Sequence, residues 1–269
     1  MYRVIVLDKL ADEGLQLLEQ AENIEYDVQL DLEGEELRQA LQSHDGAICR
    51  SGVKITAESL EGNRRMRAIV RAGVGTDNID GAAATRQGIV VMNTPTGNTV
   101  STAEHAFTLI LALSRNVAPA YQSLVDGRWD RSAYMGVQLA GKILGIVGLG
   151  RIGQEVAARA RAFEMRVIGY DPFVSAEQAC KMGIEYVDNV PDMLPRVDYL
   201  TVHTPLVPAT RHMISTNEID LLKPGARLIN CARGGIYDEK ALAEGSDSGK
   251  LAGVALDVYE TEPCTDSPL

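Results

Sequence analysis

Several large classes of protein are excluded by what this chain lacks. It has no excess of positive charge: 37 acidic against 26 basic residues leave a net charge of -11 and a pI near 4.9. That balance argues against a nucleic-acid surface or an anionic membrane face, while leaving room for a local basic pocket and small anionic ligands. Its four cysteines, Cys49, Cys180, Cys231 and Cys264, are far apart and make no C-x-x-C pair, so a disulfide or zinc framework is not expected and reduced thiols are. There is no basic-then-apolar leader at Met1, and the longest apolar run, Ala106 to Leu113, is interrupted by Thr108 and too short to span a bilayer. The expectation is a soluble, cytoplasmic protein. What remains is 269 residues, 45% of them hydrophobic, enough for one large or two medium domains with a proper core.

The stretch from Lys142 to Asp171, KILGIVGLGRIGQEVAARARAFEMRVIGYD, organises the rest. A β-branched run, Ile143 to Val147, leads into Gly148, Gly150 and Gly153, a G-x-G-x-x-G; a helical stretch and a second apolar run ending at Asp171 follow. In a dinucleotide site the first glycine permits the tight turn, the second lets a pyrophosphate approach the backbone, and the third lets helix and strand pack closely. The helix that starts there turns unpaired N–H groups and a positive dipole end toward phosphate. Asp171 stands near the spacing at which an acid accepts hydrogen bonds from ribose hydroxyls and repels a 2′-phosphate, which favours NAD over NADP.

Strand and helix alternate along the whole chain. Strands are predicted at Tyr2 to Leu7, Tyr26 to Leu30, Gly46 to Cys49, Ala68 to Val70 and Ile89 to Met92, then, beyond the glycine turn, at Tyr199 to His203, Arg227 to Ala232 and Val254 to Val258. NTPTGN, at 93–98, reads as a hinge between two doubly wound α/β domains, 1–97 and 98–269, with a cleft between them. Ser101-Thr-Ala-Glu104 is a capping-box pattern predicted to open one long helix to about Val125. Gly245 and Ser246 interrupt a later helix and predict a frayed end. His105, on the apolar helix, reads as core or interface, and His44 and His212 as exposed. Trp129 and Arg131 read equally as a packing anchor beside a surface charge or as a reach toward a partner subunit. Ligands of such sheets bind beyond the carboxyl ends of strands, which directs attention to Arg50, Arg71, Thr204, Pro205, the loop Cys231 to Gly235 and the segment Asp257 to Pro263.

The runs RAGVGTDNID (71–80), VMNTPTGNTVSTAEH (91–105), GKILGIVGLGRIG (141–153), GYDP (169–172), VHTPL (202–206), NCARGGIYDE (230–239) and LDVYETEP (256–263) strongly resemble the D-2-hydroxyacid dehydrogenases, most closely their phosphoglycerate branch. NCARGG and DVYETEP are far more specific than the glycine motif, and the resemblance covers essentially all the residues given. It implies a flavodoxin-like substrate-binding domain from the N-terminal third and a Rossmann domain for NAD after the hinge. Hydride then passes between C2 of a 2-hydroxy acid and the nicotinamide.

Carried over by position, Arg233 matches the arginine that grips the substrate carboxylate, and Glu262 the carboxylate that pairs with a catalytic histidine. The cofactor positions are Gly148, Gly150, Arg151, Ile152 and Gly153 at the pyrophosphate, Asp171 at the ribose with Pro172 after it, His203 lining the nucleotide pocket, Thr204 and Pro205 on the adenine side, and Cys231, Ala232 and Asp257 near the nicotinamide. Cys231 is not proposed as a nucleophile. Arg50 and Arg71 match arginines that hold a phosphate, and the backbone N–H groups of Gly73, Val74, Gly75 and Thr76 could hold a carboxylate. The implied substrate is a phosphorylated 2-hydroxy acid, the implied assembly a homodimer or homotetramer built on the helix carrying Ala106, Phe107, Ile110 and Leu113, or else these four are plain core. Neither nucleic acid, membrane nor metal is called for. The family's histidine comes from a Pro-His segment and a returning helix beyond the Glu-Pro, which the residues to Leu269 do not include; the expectation is nucleotide binding without full catalytic competence. Other 2-oxo acids such as glyoxylate or hydroxypyruvate, or an NAD-sensing role without turnover, are the alternatives.

Overall fold

A computed structural model describes residues 1–269. Its contacts divide them into two compact units, Met1–Asn98 and Thr99–Leu269. The first unit holds five parallel strands, β1 (Tyr2–Val6), β2 (Ile24–Val28), β3 (Gly46–Cys49), β4 (Ala68–Arg71) and β5 (Val90–Asn93), in the order β2-β1-β3-β4-β5. Helices Asp12–Glu19, Gly34–Ser43, Ala57–Leu60 and Gly81–Arg86 make the crossovers, and Ile5, Leu7, Leu41, Leu60, Ile69 and Ala84 are withdrawn from water between sheet and helices. This is the flavodoxin-type order, whose direction reverses between β1 and β3, so the carboxyl ends of those strands open a crevice.

His44 is buried, not exposed as expected. Its ring bonds the Ala40 carbonyl at 2.7 Å through Nδ1 and Asp27 Oδ2 at 2.9 Å through Nε2. Arg3 donates to the same Asp27 oxygen at 3.0 Å, and these two partners hold the Asp27 carboxyl below its ordinary range. A polar stretch in sequence thus conceals a closed hydrogen-bonded network.

The second unit holds β6 (Ile143–Val147), β7 (Arg166–Tyr170), β8 (Glu185–Tyr186), β9 (Tyr199–Val202), β10 (Ala226–Asn230) and β11 (Leu251–Leu256), all parallel, ordered β11-β10-β9-β6-β7-β8. The first strand therefore lies mid-sheet and the order turns back between β6 and β9, the Rossmann switch point. Side chains alternate across β6: Leu144 and Ile146 join a cluster with Ala106, Ile110 and Val156, while Val147 joins one with Leu200, Leu228 and Tyr237 on the opposite face. Ala106, Phe107 and Ile110 are thus core, with Leu113 partly buried against them.

The single helix expected from Ser101 to Val125 is two helices, Thr99–Arg115 and Val117–Val125. Asn116 breaks it in the left-handed region, φ 52 and ψ 39, a conformation asparagine tolerates, and its side chain donates to the Met135 carbonyl at 3.2 Å. Because the first helix begins at Thr99, Ser101 lies inside it and the capping-box reading fails. The helix Glu239–Asp247 also runs through Gly245 without fraying there. A Cβ at Gly245 would meet Leu251 at 3.0 Å and Ile219 at 3.2 Å, so the glycine serves close packing of buried surfaces. Trp129 is 75% exposed, which removes its reading as a packing anchor. No helix is long and apolar enough to cross a membrane.

Candidate active site

The glycine turn follows β6 and opens the helix Arg151–Ala162. Gly148 has φ +96, and a Cβ there would come within 2.6 Å of the His203 carbonyl oxygen at the end of β9. A Cβ on Gly153 would collide with the Gly148 carbonyl, so helix and turn are packed backbone to backbone. Gly150 is the opposite case: it is exposed, a Cβ would meet nothing within 4 Å, and as N-cap it supplies no side-chain acceptor to the first helical turn. Gly148 and Gly153 thus serve the tight turn and the close packing their spacing implies, and the N–H groups of an uncapped helix end lie at the open position of Gly150. Arg151 is exposed and Ile152 half-buried beside them.

Asp171, just past β7, is half-buried and accepts from the Leu149 N–H at 2.8 Å through Oδ2 and from the Phe173 N–H at 2.8 Å through Oδ1. It therefore anchors the glycine turn; Pro172 and Phe173 beside it are exposed. Beyond β9, His203 Nε2 lies 3.2 Å from the Thr201 hydroxyl, while His203 Nδ1 and Thr204 Oγ1 are shut off from solvent with no hydrogen-bond partner. Enclosure pushes the His203 pKa down to about 4, so the ring is neutral near pH 7. Pro205 follows on the surface.

A second constellation lies at the ends of β10 and β11. Asn230, buried at the end of β10, donates through Nδ2 to the Arg233 carbonyl at 2.7 Å, and its Oδ1 accepts from the Ala232 N–H at 2.9 Å. Its own carbonyl accepts from the Asp257 N–H at 3.0 Å. One amide side chain therefore shapes the Cys231–Gly235 loop, and its backbone joins that loop to the end of β11. Asn230 falls inside both the strand predicted from Arg227 to Ala232 and the NCARGG run, and a polar amide ending an apolar run is the signal that sets it apart.

Arg233 is half-buried, with Nη1 donating to the Ala232 carbonyl at 2.6 Å. Gly234 is pressed against the Tyr259 carbonyl. Glu262, exposed, accepts from the Tyr259 N–H at 3.0 Å, whereas Glu260 engages His212 Nε2 at 3.1 Å and the Glu239 N–H at 3.2 Å.

His105 is not the core residue that one of its two readings expected. It is exposed, and its Nε2 lies 3.2 Å from Asp257 Oδ1. The Cys231 thiol is the third member of this group, all donor atoms lying within 4.8 Å of one another. Burial, reinforced by the Asp257 carboxylate, pushes the Cys231 pKa up to about 12, which makes it a poor nucleophile.

In the first unit, Arg50 and Arg71 leave adjacent strands, the last residues of which, Cys49 and Arg71, are register partners. Arg50 is exposed, its N–H bonded to Asp8 at 2.6 Å. The Arg71 guanidinium lies over the Gly73 backbone so closely that a Cβ there would strike Nη1. Arg71 Nε is buried without a hydrogen-bond partner. The Gly73 N–H donates to the Arg71 carbonyl at 2.8 Å, so it is not one of the groups that can face an anion; Val74 and Gly75 follow it, with the Val74 carbonyl accepting from Asn93 at 2.6 Å.

A parallel sheet of this order with an uncapped glycine turn at its switch point defines a dinucleotide-binding domain. Residues 107–269 match the NAD-binding domain of the D-isomer specific 2-hydroxyacid dehydrogenases. The chain belongs to that family, and its cofactor is NAD. D-3-phosphoglycerate dehydrogenase of Methanocaldococcus jannaschii is 45% identical over all 269 residues, and that of Bacillus subtilis 46%. They cover 100% of this chain and 51% and 50% of those proteins, so it spans about half the length of these relatives. The crystal structure of D-lactate dehydrogenase from Aquifex aeolicus, complexed with NAD and lactic acid, superimposes with a TM-score of 0.86 at 29% identity, covering 97% of this chain and 78% of the other.

The residues present fit the cofactor. Gly150 leaves room where a pyrophosphate must approach backbone, and His203 and Thr204 carry enclosed polar atoms in need of a partner beside the Gly148 turn. A dinucleotide is polar enough along its length to engage them.

Proposed function

We propose that this chain carries the cofactor and substrate groups for NAD-dependent oxidation of D-3-phosphoglycerate to 3-phosphohydroxypyruvate, the opening step of serine synthesis. The observation that supports this substrate most is Arg50 and Arg71 at the ends of paired strands, in a chain 45% identical along its whole length to a D-3-phosphoglycerate dehydrogenase. Two guanidinium groups suit a dianionic phosphate, and a neutral or singly charged acid would leave them unpaired.

When bound, NAD supplies the hydride acceptor. The N–H groups of the Arg151–Ala162 helix end and the Gly148–Gly153 turn hold the pyrophosphate, and Asp171 the ribose. Arg233 grips the substrate carboxylate through two parallel hydrogen bonds, draws charge from the adjoining 2-oxygen and fixes the face that C2 presents. The loop that carries it is held by Asn230, so little ordering cost falls on binding. Glu262 orients the histidine to which the family gives the 2-hydroxyl proton, and raises its basicity. Cys231 and Ala232 line the nicotinamide side, where a protonated, inert thiol does no chemistry.

Steady-state turnover of D-3-phosphoglycerate, D-glycerate and D-lactate by the whole protein tests the reading. The expected result is a preference for the phosphorylated acid that falls by roughly 10- to 100-fold in Arg50→Gln and Arg71→Gln, the value of a charge-assisted hydrogen bond. Equal use of D-glycerate and D-3-phosphoglycerate would assign the chain to another 2-hydroxy acid.

A further inference from the structure

Three chemically different donors converge at the ends of β10 and β11. The imidazole of His105 comes from the helix Thr99–Arg115, the Cys231 thiol from the residue after β10, and the Asp257 carboxylate from the residue after β11. Their ligand atoms lie within 4.8 Å of one another, and the His105–Asp257 pair is already at 3.2 Å. Bond lengths to zinc of about 2.0–2.3 Å put the edge of a tetrahedral site at roughly 3.3–3.6 Å. One edge therefore exists, and the other two, at no more than 4.8 Å, lie within about 1.5 Å of the tetrahedral edge.

We infer that His105, Cys231 and Asp257 form a binding site for a thiophilic divalent cation of the Zn2+ class, and that its occupation excludes the nicotinamide end of the cofactor. The exclusion rests on the reading that Cys231 and Asp257 flank the nicotinamide; the metal site itself does not.

The donor set selects the ion. Magnesium and calcium want oxygen ligands only, whereas one sulfur, one nitrogen and one oxygen are the mixture borderline-soft ions take. Three protein ligands leave a fourth position for water, the open arrangement of an exchangeable site. Access also runs the right way, because His105 and Asp257 have side chains about half exposed and Cys231 is 7% exposed, so the cation meets two rim ligands before the thiol at the floor. On binding, a metal–sulfur bond forms, the thiol proton passes to solvent, and no electron changes hands. The Asn230 amide fixes the loop after Cys231, and the pairing of β10 with β11 fixes Asp257, so the site is largely assembled without the ion.

Co2+ serves as probe, in the chain carrying Cys180→Ser and Cys264→Ser to remove the two exposed thiols. The expected result is one Co2+ per chain with a near-ultraviolet thiolate-to-metal band, abolished by Cys231→Ser. His105→Gln, an exposed change that leaves the core alone, should weaken Co2+ binding by more than the roughly 10- to 100-fold that loss of an outer partner costs. Zn2+ should raise the apparent Kd of NADH, followed by its fluorescence, and lose that effect in both variants. Absence of the band, or its survival in Cys231→Ser, overturns the site. NADH binding unmoved by saturating Zn2+ overturns the exclusion, and NADH titration without metal tests the cofactor reading separately.

Discussion

Gly234 and Tyr259 meet backbone to backbone: a Cβ on the glycine would strike the tyrosine carbonyl. Gly234 belongs to the loop after β10 that carries Arg233, and Tyr259 to the segment after β11 that carries Asp257 and Glu262. The two most specific motifs of the sequence are thus one packed object. Asn230 provides a second link between them, through its carbonyl and the Asp257 N–H.

Gly234→Ala should therefore force the loops apart. Overpacking of this kind costs about 1–3 kcal/mol, and here it should lower the Tm and weaken substrate binding together. Gly81→Ala is the matched control, since a Cβ there meets nothing within 4 Å, and it should be neutral or stabilising by up to about 1 kcal/mol. Thermal unfolding of the two variants separates the cases.

Acid should destabilise the protein partly through His203. Its pKa is near 4 in the folded chain against an ordinary 6.5, so the unfolded state binds the proton more readily. Stability from this group is present above pH 6.5 and lost as pH falls from 6.5 toward 4, by up to about 3 kcal/mol. Urea unfolding at pH 7, 5.5 and 4.5 should show that slope, and His203→Gln should flatten it.

Thiol chemistry should divide the four cysteines into two pairs. Cys180 and Cys264 are exposed, whereas burial raises Cys49 to about 11 and Cys231 to about 12. At pH 8 a disulfide reagent should label the first pair quickly and the second only on unfolding. Rapid modification of all four in the native protein would contradict the burial.

Much of this was legible because its causes are local. Short apolar runs mark every strand except the two-residue β8, and the glycine turn needs only its own strand, helix and acid to be recognised. Features that depend on distant partners were not. His105 and Asp257 are 152 residues apart, so nothing near His105 in sequence announces its carboxylate. Gly245 looks like a helix breaker until Ile219 and Leu251 are seen pressed against it, and the break at Asn116 is stabilised by Met135. His44 stands in a polar stretch that suggests exposure, yet its buried ring is held by the Ser43 hydroxyl beside it and by Asp27, 17 residues away.

Asp171 anchors the glycine turn and is proposed to hold the ribose, and substitutions should split the two. Asp171→Asn keeps one acceptor oxygen for the two N–H groups of Leu149 and Phe173 and removes the charge, so discrimination against NADPH should fall by roughly 10-fold or more at a stability cost of about 1–3 kcal/mol for the N–H left facing the amide. Asp171→Ala should lose NADH affinity and stability alike, as seen by NADH fluorescence and thermal unfolding.

Arg233 is the residue on which the proposed chemistry turns. Comparing Arg233→Lys with the unaltered whole protein, in kcat/KM for D-3-phosphoglycerate and in the Kd of NADH, tests it directly. A lysine keeps the charge but not the two parallel bonds, so kcat/KM should fall by roughly 10²-fold or more while NADH binding changes little. Full turnover in the variant, or a loss confined to NADH affinity, would contradict the assignment.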